Sequence, residues 1–230
     1  SQLHTLPNLR GGTSELLPVL HNLQHKLKHC TDKYLETLSE PAIAAVAPTL
    51  CRSLFLSSSM PIRDVNRFAL SRDCRIGSNR GASGIDGVLS SAAGWAAALQ
   101  EPTLLLVGDL ATIHDLGALL SLRQINPPLV IVAINNHGGA IFSFLPIAQQ
   151  SEHFETHFAT AHQSMLTPIV SAMGIPTSSP TDLGSLIAAI RAGLAQNSLS
   201  FIEVVTDRSE NLKLHTLIQA ELHAVIEEEL

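Results

Sequence analysis

Cysteine is scarce in this chain: Cys30, Cys51 and Cys74 are the only three in 230 residues, and they are widely spaced. An odd count at such spacing fits neither a disulfide framework nor a zinc knuckle, so a reducing compartment is expected. Long apolar runs are also missing. None reaches the ~18 residues a membrane span needs. Basic charge is not in excess: Lys and Arg number 14 against 20 Asp and Glu, a net charge of −6. That balance argues against nucleic acid or an acidic membrane surface as the main partner. The first residues, beginning at Ser1, show no basic-then-apolar secretory signal. Internal repeats and low-complexity tracts are absent, and a cytoplasmic location is the simplest expectation.

What the chain does have is apolar content, 45%, and length enough to bury a sizeable core. Residues 1–38 stand apart. Gly11-Gly12-Thr13 is a break, and Leu16, Leu20, Leu23 and Leu27 form a stripe at helical spacing, as in a linker or the helical tail of an upstream domain. Ser39-Glu40-Pro41 then reads as a helix start, with Ser as cap and Pro just inside. Beyond it the segments alternate: helix 41–49, strand 53–58, helix 61–70, a short strand near 74–77, helix 84–99, strand 103–107 and helix 115–124. Strand 129–134, a loop or lid 137–162, helices 163–173 and 181–196, strand 200–206 and a helical tail 212–228 complete the order. Alternating helices and apolar strands predict one α/β domain over 39–230, a parallel sheet flanked by helices.

Two strand ends carry the chemistry. Thr103–Val107 runs into Gly108-Asp109-Leu110, and Leu129–Ile134 runs into Asn135-Asn136, with Asn136 27 residues after Asp109. In a parallel sheet these polar residues sit side by side at the carboxyl edge, where open α/β sheets bind ligands. A carboxylate and a carboxamide are hard oxygen donors that suit Mg²⁺, which completes its shell with phosphate and water. The bland alternative is a pair of ordinary turns. The eleven histidines include His21, His25 and His29, one per helical turn; without a Glu beside the first, a polar face is expected rather than a zinc site. His153, His157 and His162 read as surface or lid residues.

Asn79-Arg80-Gly81-Ala82-Ser83-Gly84-Ile85-Asp86-Gly87 opens a helix rich in small residues. Its glycines at 81, 84 and 87 are three apart, the wrong spacing for a dinucleotide fingerprint. Taken with Gly108-Asp109-Leu110 and Asn135-Asn136-His137-Gly138-Gly139-Ala140-Ile141-Phe142-Ser143-Phe144-Leu145-Pro146, this run resembles the 2-succinyl-5-enolpyruvyl-6-hydroxy-3-cyclohexene-1-carboxylate synthases of menaquinone and phylloquinone biosynthesis. These are thiamine-diphosphate-dependent enzymes, and the part matched is their C-terminal, diphosphate-binding domain. The similarity is strongest over 53–146; the Gly-Asp and Asn-Asn pairs alone mark only the wider superfamily.

The resemblance implies a reaction. The thiamine carbanion attacks 2-oxoglutarate, CO₂ leaves, and the succinyl-semialdehyde carbanion adds to isochorismate. It also implies roles. Asp109, Asn136 and the Gly138 carbonyl would bind Mg²⁺ or Mn²⁺ at the cofactor's diphosphate, with help from the amides starting a helix at 111–124. Ile85 would prop the cofactor in its bent shape, and Ile141, Phe142 and Leu145 would wall it off. Arg63 and Arg80 would bind substrate carboxylates, with Ser59 near the same edge. The alternative for Arg63 is an ion pair with Asp64 or Asp73, and for the apolar set plain core packing.

The chain departs from the pattern in three places. Leu110 stands where many thiamine enzymes have Gly, and His137 where Asn is common, adding a possible proton carrier. The Glu that protonates the aminopyrimidine belongs to a separate pyrimidine-binding domain, which a partner subunit usually supplies. Glu15, Glu36 and Glu40 lie in helix or linker and do not fit that role. A homo-oligomer is expected, and a plastid or other organelle is the alternative location for a eukaryotic fusion. Two competing readings are a non-catalytic or separately encoded half that docks on a partner, and another thiamine-dependent 2-oxoacid decarboxylase or synthase.

Overall fold

A computed structural model describes residue 22 and residues 26–70, 73–79, 84–126, 128–196 and 198–229. Leu16, Leu20 and Leu23 of the leucine stripe and the histidines at 21 and 25 lie outside them; Leu27 is half-buried and His29 exposed.

The elements in chain order are α1 (Glu40–Leu50), β1 (Ser53–Leu56), α2 (Met60–Phe68), β2 (Arg75–Ser78), α3 (Val88–Leu99) and β3 (Thr103–Gly108). There follow α4 (Asp109–His114), α5 (Ala118–Leu122), β4 (Leu129–Asn135), α6 (Leu166–Ala172), β5 (Thr177–Ser178), α7 (Leu183–Ala195), β6 (Ser200–Val205) and α8 (Arg208–Glu229). Among the described residues the strands form one sheet in the order β2-β1-β3-β4-β6-β5. Every pairing is parallel. No helix among the described residues is long and apolar enough to cross a membrane.

Successive strand residues point to opposite faces, and both faces are buried. Leu105, Val107, Ile131, Ala133 and Phe201 pack under α3, α5 and α6. Leu54, Leu56, Leu104, Leu106, Val130, Val132 and Ile202 pack under α1, α2 and α7. The outer side of α1 is covered in turn by α8, through Ala42, Ala45, Phe68 and Ile218. From β1 the chain passes to β2 on one side and then to β3 on the other. The strand order therefore reverses between β1 and β3, and the carboxyl ends of these two strands open a crevice of the kind that holds ligands.

Several boundaries differ from those expected. The α3 helix starts at Val88, not at 84, because Gly87 adopts a left-handed conformation (φ 71°) as its cap. Its first amides bond instead to Asp115, which accepts from Gly87 N at 2.8 Å and Leu89 N at 3.1 Å. Asp115 also ends α4, so the helix expected over 115–124, with amides from 111, is two short pieces. The first, of six residues, begins at Asp109 itself and offers little dipole. The 137–162 segment is not a plain loop: 3₁₀ turns at Ala140–Phe144 and Pro146–Gln149 lead to a helical turn at Ser151–His153 and a π turn at Phe154–Phe158. The two-residue β5 is too short for periodicity to reveal.

Candidate functional site

Each strand end delivers one polar side chain to the crevice. Asp109 is the first residue of α4, directly after β3, and is only 2% exposed. Its Oδ1 accepts the Leu110 amide at 2.6 Å, and its Oδ2 accepts the Gly138 amide at 2.8 Å. Burial raises the Asp109 carboxyl above its ordinary range, and those two amides and His162 pull it back part of the way. Two asparagines follow β4. Asn135 is partnered at both ends of its carboxamide: Nδ2 donates to the Ser164 carbonyl and to Glu203 Oε1, and Oδ1 accepts the His137 amide. Asn136 is 7% exposed, donates from Nδ2 to Glu40 Oε1 at 2.9 Å, and leaves Oδ1 buried without a hydrogen-bond partner.

The chain between Asn136 and Gly139 is held in an unusual shape. His137 has φ 62° and Gly138 φ 149°. A Cβ at Gly138 would stand 2.6 Å from the Ala159 carbonyl oxygen, so only glycine lets the chain at Ala159 pack against this turn. The Gly138 carbonyl accepts the Ala140 amide at 3.0 Å and keeps a second lone pair.

A cavity of about 310 Å³ opens here, lined by Ser59, Arg63, Ile85, Asp109, Asn136, Gly138, Ile141 and Phe142 together with Glu40 and Ser57. The structure thus brings together eight of the residues singled out from the sequence. Leu145 does not line the cavity and is 47% exposed. Arg80 lies outside the described residues. Arg63, on the first turns of α2, is exposed; it donates to the Ser59 carbonyl at 2.6 Å and makes no ion pair among the described residues. Asp64, one of the two partners weighed for it, is instead buried beside His215. Ser59 holds φ 71°, a strained angle for a residue with a side chain.

Two functional candidates were not foreseen. Glu40, set aside as part of a helix or linker, is 2% exposed and faces the cavity next to Asn136. His162, read as surface or lid, returns to the site: Nε2 lies 3.2 Å from Asp109 Oδ2, while Nδ1 accepts the Ser164 amide. The Nδ1 bond places the proton on Nε2, so the ring donates to the carboxylate. His153 and His157 are exposed, as expected.

The donor set fits a hard divalent cation. Asp109 offers charge, Asn136 an unpartnered oxygen and Gly138 a carbonyl, and Mg²⁺ favours such ligands. Among the described residues no group of three His, Cys, Asp or Glu side chains is placed to hold a metal.

Known proteins resemble this chain in sequence and in fold. The family described as "Thiamine pyrophosphate enzyme, C-terminal TPP binding domain" matches residues 68–204. A 2-succinyl-5-enolpyruvyl-6-hydroxy-3-cyclohexene-1-carboxylate synthase from Chlorobium limicola is 40% identical over 197 residues, 84% of this chain and 34% of that protein. The synthase of the same name from Myxococcus xanthus is 43% identical over 200 residues, 84% of this chain and 34% of its own. This chain spans about a third of the length of these curated relatives. In fold it is similar to the thiamine diphosphate-dependent 4-hydroxybenzoylformate decarboxylase of Rhodococcus jostii RHA1, with a TM-score of 0.60 and 18% identity over 75% of this chain and 33% of that one. The chain belongs to the thiamine pyrophosphate enzymes, as a member of their C-terminal, cofactor-binding domain family.

Proposed function

We propose that this domain holds the Mg²⁺- or Mn²⁺-bound diphosphate of thiamine diphosphate at Asp109, Asn136 and Gly138. It would do so within a synthase that decarboxylates 2-oxoglutarate and adds the succinyl-semialdehyde unit to isochorismate, in menaquinone or phylloquinone biosynthesis. The observation that carries the reading is the unpartnered Asn136 Oδ1 beside Asp109 at the carboxyl edge of the sheet, in a chain about 40% identical to synthases of that name.

When bound, thiamine diphosphate supplies the carbon nucleophile and the electron sink for loss of CO₂. The chain's own residues bind, orient and exclude water. Asp109 brings negative charge to the cation, and Asn136 Oδ1 and the Gly138 carbonyl add neutral oxygens, leaving the remaining positions to phosphate and water. Ile85, on the cavity wall, would prop the cofactor in its bent shape. Ile141 and Phe142 keep the reacting region dry, which strengthens every charge interaction inside it. Arg63 offers a guanidinium fork at the mouth of the cavity, suited to one carboxylate of a dicarboxylic substrate, with Ser59 beside it. Arg80 takes a second carboxylate by resemblance. The Glu that protonates the aminopyrimidine comes from the pyrimidine-binding domain of the longer protein or of a second subunit, in a homo-oligomer.

Release of CO₂ from 2-oxoglutarate and from pyruvate by the assembled enzyme tests the reading. It predicts turnover of 2-oxoglutarate with isochorismate, little with pyruvate, and a raised KM for 2-oxoglutarate in Arg63→Lys. Equal turnover of pyruvate would favour a different thiamine-dependent decarboxylase or synthase.

A further inference from the structure

Glu40 is the first residue of α1, behind the Ser39 cap, whose side chain accepts the Ala42 amide. A carboxylate is electrostatically favoured at the start of a helix, yet this one is turned inward to the cavity and buried. A single oxygen, Oε1, takes two donors: Asn136 Nδ2 at 2.9 Å and Thr206 Oγ1 at 2.9 Å. Thr206 is itself fixed, since its amide bonds to the Asn135 carbonyl at 2.9 Å and extends the β4–β6 ladder.

A carboxamide presents an oxygen on one side and an NH₂ on the other, and a half-turn exchanges them. With the NH₂ forward, Asn136 would repel a cation. Its Oδ1 has no partner and its Nδ2 has Glu40, so Glu40 alone among the described residues sets the orientation. The neighbouring Asn135 has a matching arrangement with Glu203, but there the oxygen already accepts the His137 amide. Each asparagine is thus held by its own buried glutamate, and only Asn136 is left with a free oxygen.

Resting on the function proposed above, we infer that Glu40 is a positioning residue for the cation site. Its carboxylate holds the Asn136 carboxamide with Oδ1 toward the metal, and Thr206 holds the carboxylate.

The test is titration of Mg²⁺ into the assembled enzyme in the presence of thiamine diphosphate, followed by binding heat, with melting of the cofactor-free protein measured alongside. Outer partners of metal ligands are worth about 10–100-fold in affinity, and Glu40→Ala is expected to lose that much Mg²⁺ affinity. Glu40→Gln, whose Oε1 still accepts, recovers most of it, and Thr206→Val shows a smaller loss in the same direction. A merely structural role would lower the melting temperature of the cofactor-free protein and leave the Mg²⁺ affinity of the folded fraction intact, which overturns the inference. So would equal losses in Glu40→Gln and Glu40→Ala, which would assign the effect to charge and not to orientation. Should Glu40→Ala fail to fold, Thr206→Val decides, and an unchanged affinity there overturns the inference. Asp109→Ala separates the two levels. If the wild type shows no Mg²⁺-dependent binding, the proposed function itself fails. If binding is lost in Asp109→Ala but kept in Glu40→Ala, only the role of Glu40 fails.

Discussion

Gly138 sits where a side chain does not fit. Its amide donates to Asp109 Oδ2, its φ of 149° is one that side chains rarely adopt, and its Cα faces the Ala159 carbonyl; on the function proposed above, its carbonyl is a ligand of the cation. Left-handed backbone costs about 1–3 kcal/mol for other residues, before any displacement of the lid is counted. Gly138→Ala is therefore expected to lower the melting temperature and abolish Mg²⁺-dependent cofactor binding; a variant that melts and binds like wild type would show that the turn has room. At this scale, Asp109 and Asn136 were legible because a strand end fixes where its next residue lies, whatever packs around it. Glu40 was not. Burial of a helix's first residue depends on which strand end the helix start meets, and no local pattern around Ser39-Glu40-Pro41 records that Asn136 and Thr206 stand opposite. His162 was hidden for the same reason: its place at Asp109 depends on the path of the lid.

Among elements, the lid's return is anchored by Glu203 on β6. Its side chain accepts the amides of Leu166 and Thr167, which begin α6, and the Asn135 carboxamide. This explains why α6 starts at Leu166, three residues after the boundary expected at 163. Burial works to raise the Glu203 carboxyl, but these donors prevail and hold it below the usual carboxylate range. Its stabilisation is therefore present above the unfolded value of ~4.3 and is lost as pH falls through the lower native value. Removing one member of a buried charged network costs about 3–5 kcal/mol, and Glu203→Ala is expected to fall in that range in urea unfolding. A loss under 1 kcal/mol would show that water replaces the carboxylate.

The contact of α2 with α8 makes a second pH-dependent joint. Asp64 and His215 are both buried, with Asp64 Oδ1 3.5 Å from Nε2 and Arg67 Nη1 3.4 Å from Nδ1. Burial, with the Glu40 charge, raises Asp64 to about 8, and burial, with the Arg67 charge, lowers His215 to about 4. In an unfolded chain they titrate near 3.9 and 6.5. The Asp64 contribution is whole below its unfolded value and is lost as pH rises through about 8. The His215 contribution is whole above ~6.5 and is lost as pH falls toward about 4. Between the two low values and 6.5 the native and unfolded pairs each hold one proton, so the effects cancel. From pH ~6.5 to 8 only the native pair keeps its proton, and stability drops by roughly 2 kcal/mol. Urea unfolding at these two pH values should show the drop in wild type and not in Asp64→Asn. An equal drop in both would place the titration elsewhere.

In the whole molecule, the alternation of helices and apolar strands was enough to expect a parallel sheet, because both faces of such a sheet are buried and its strands read as continuous Leu, Val and Ile. The crossing order was not written in any segment. It follows from the handedness and packing of all the connections together, and it is what puts the reversal between β1 and β3 beside Asp109. The site lies at one edge of the sheet, with Ile85 of its lining exposed, and the chain spans about a third of its curated relatives. A cofactor gripped only by its diphosphate keeps its ring end free. On the function proposed above, joining a pyrimidine-binding domain is expected to tighten thiamine diphosphate binding by more than ten-fold (about 1.4 kcal/mol), and equal affinity with and without that domain would contradict a shared site.

Calorimetric titration of thiamine diphosphate into the assembled enzyme with Mg²⁺, then with EDTA, and again with Asp109→Ala tests the cation site most directly. A cation site at Asp109 requires that binding need Mg²⁺ and disappear in the variant. Binding that survives EDTA, or that Asp109→Ala retains, would contradict it.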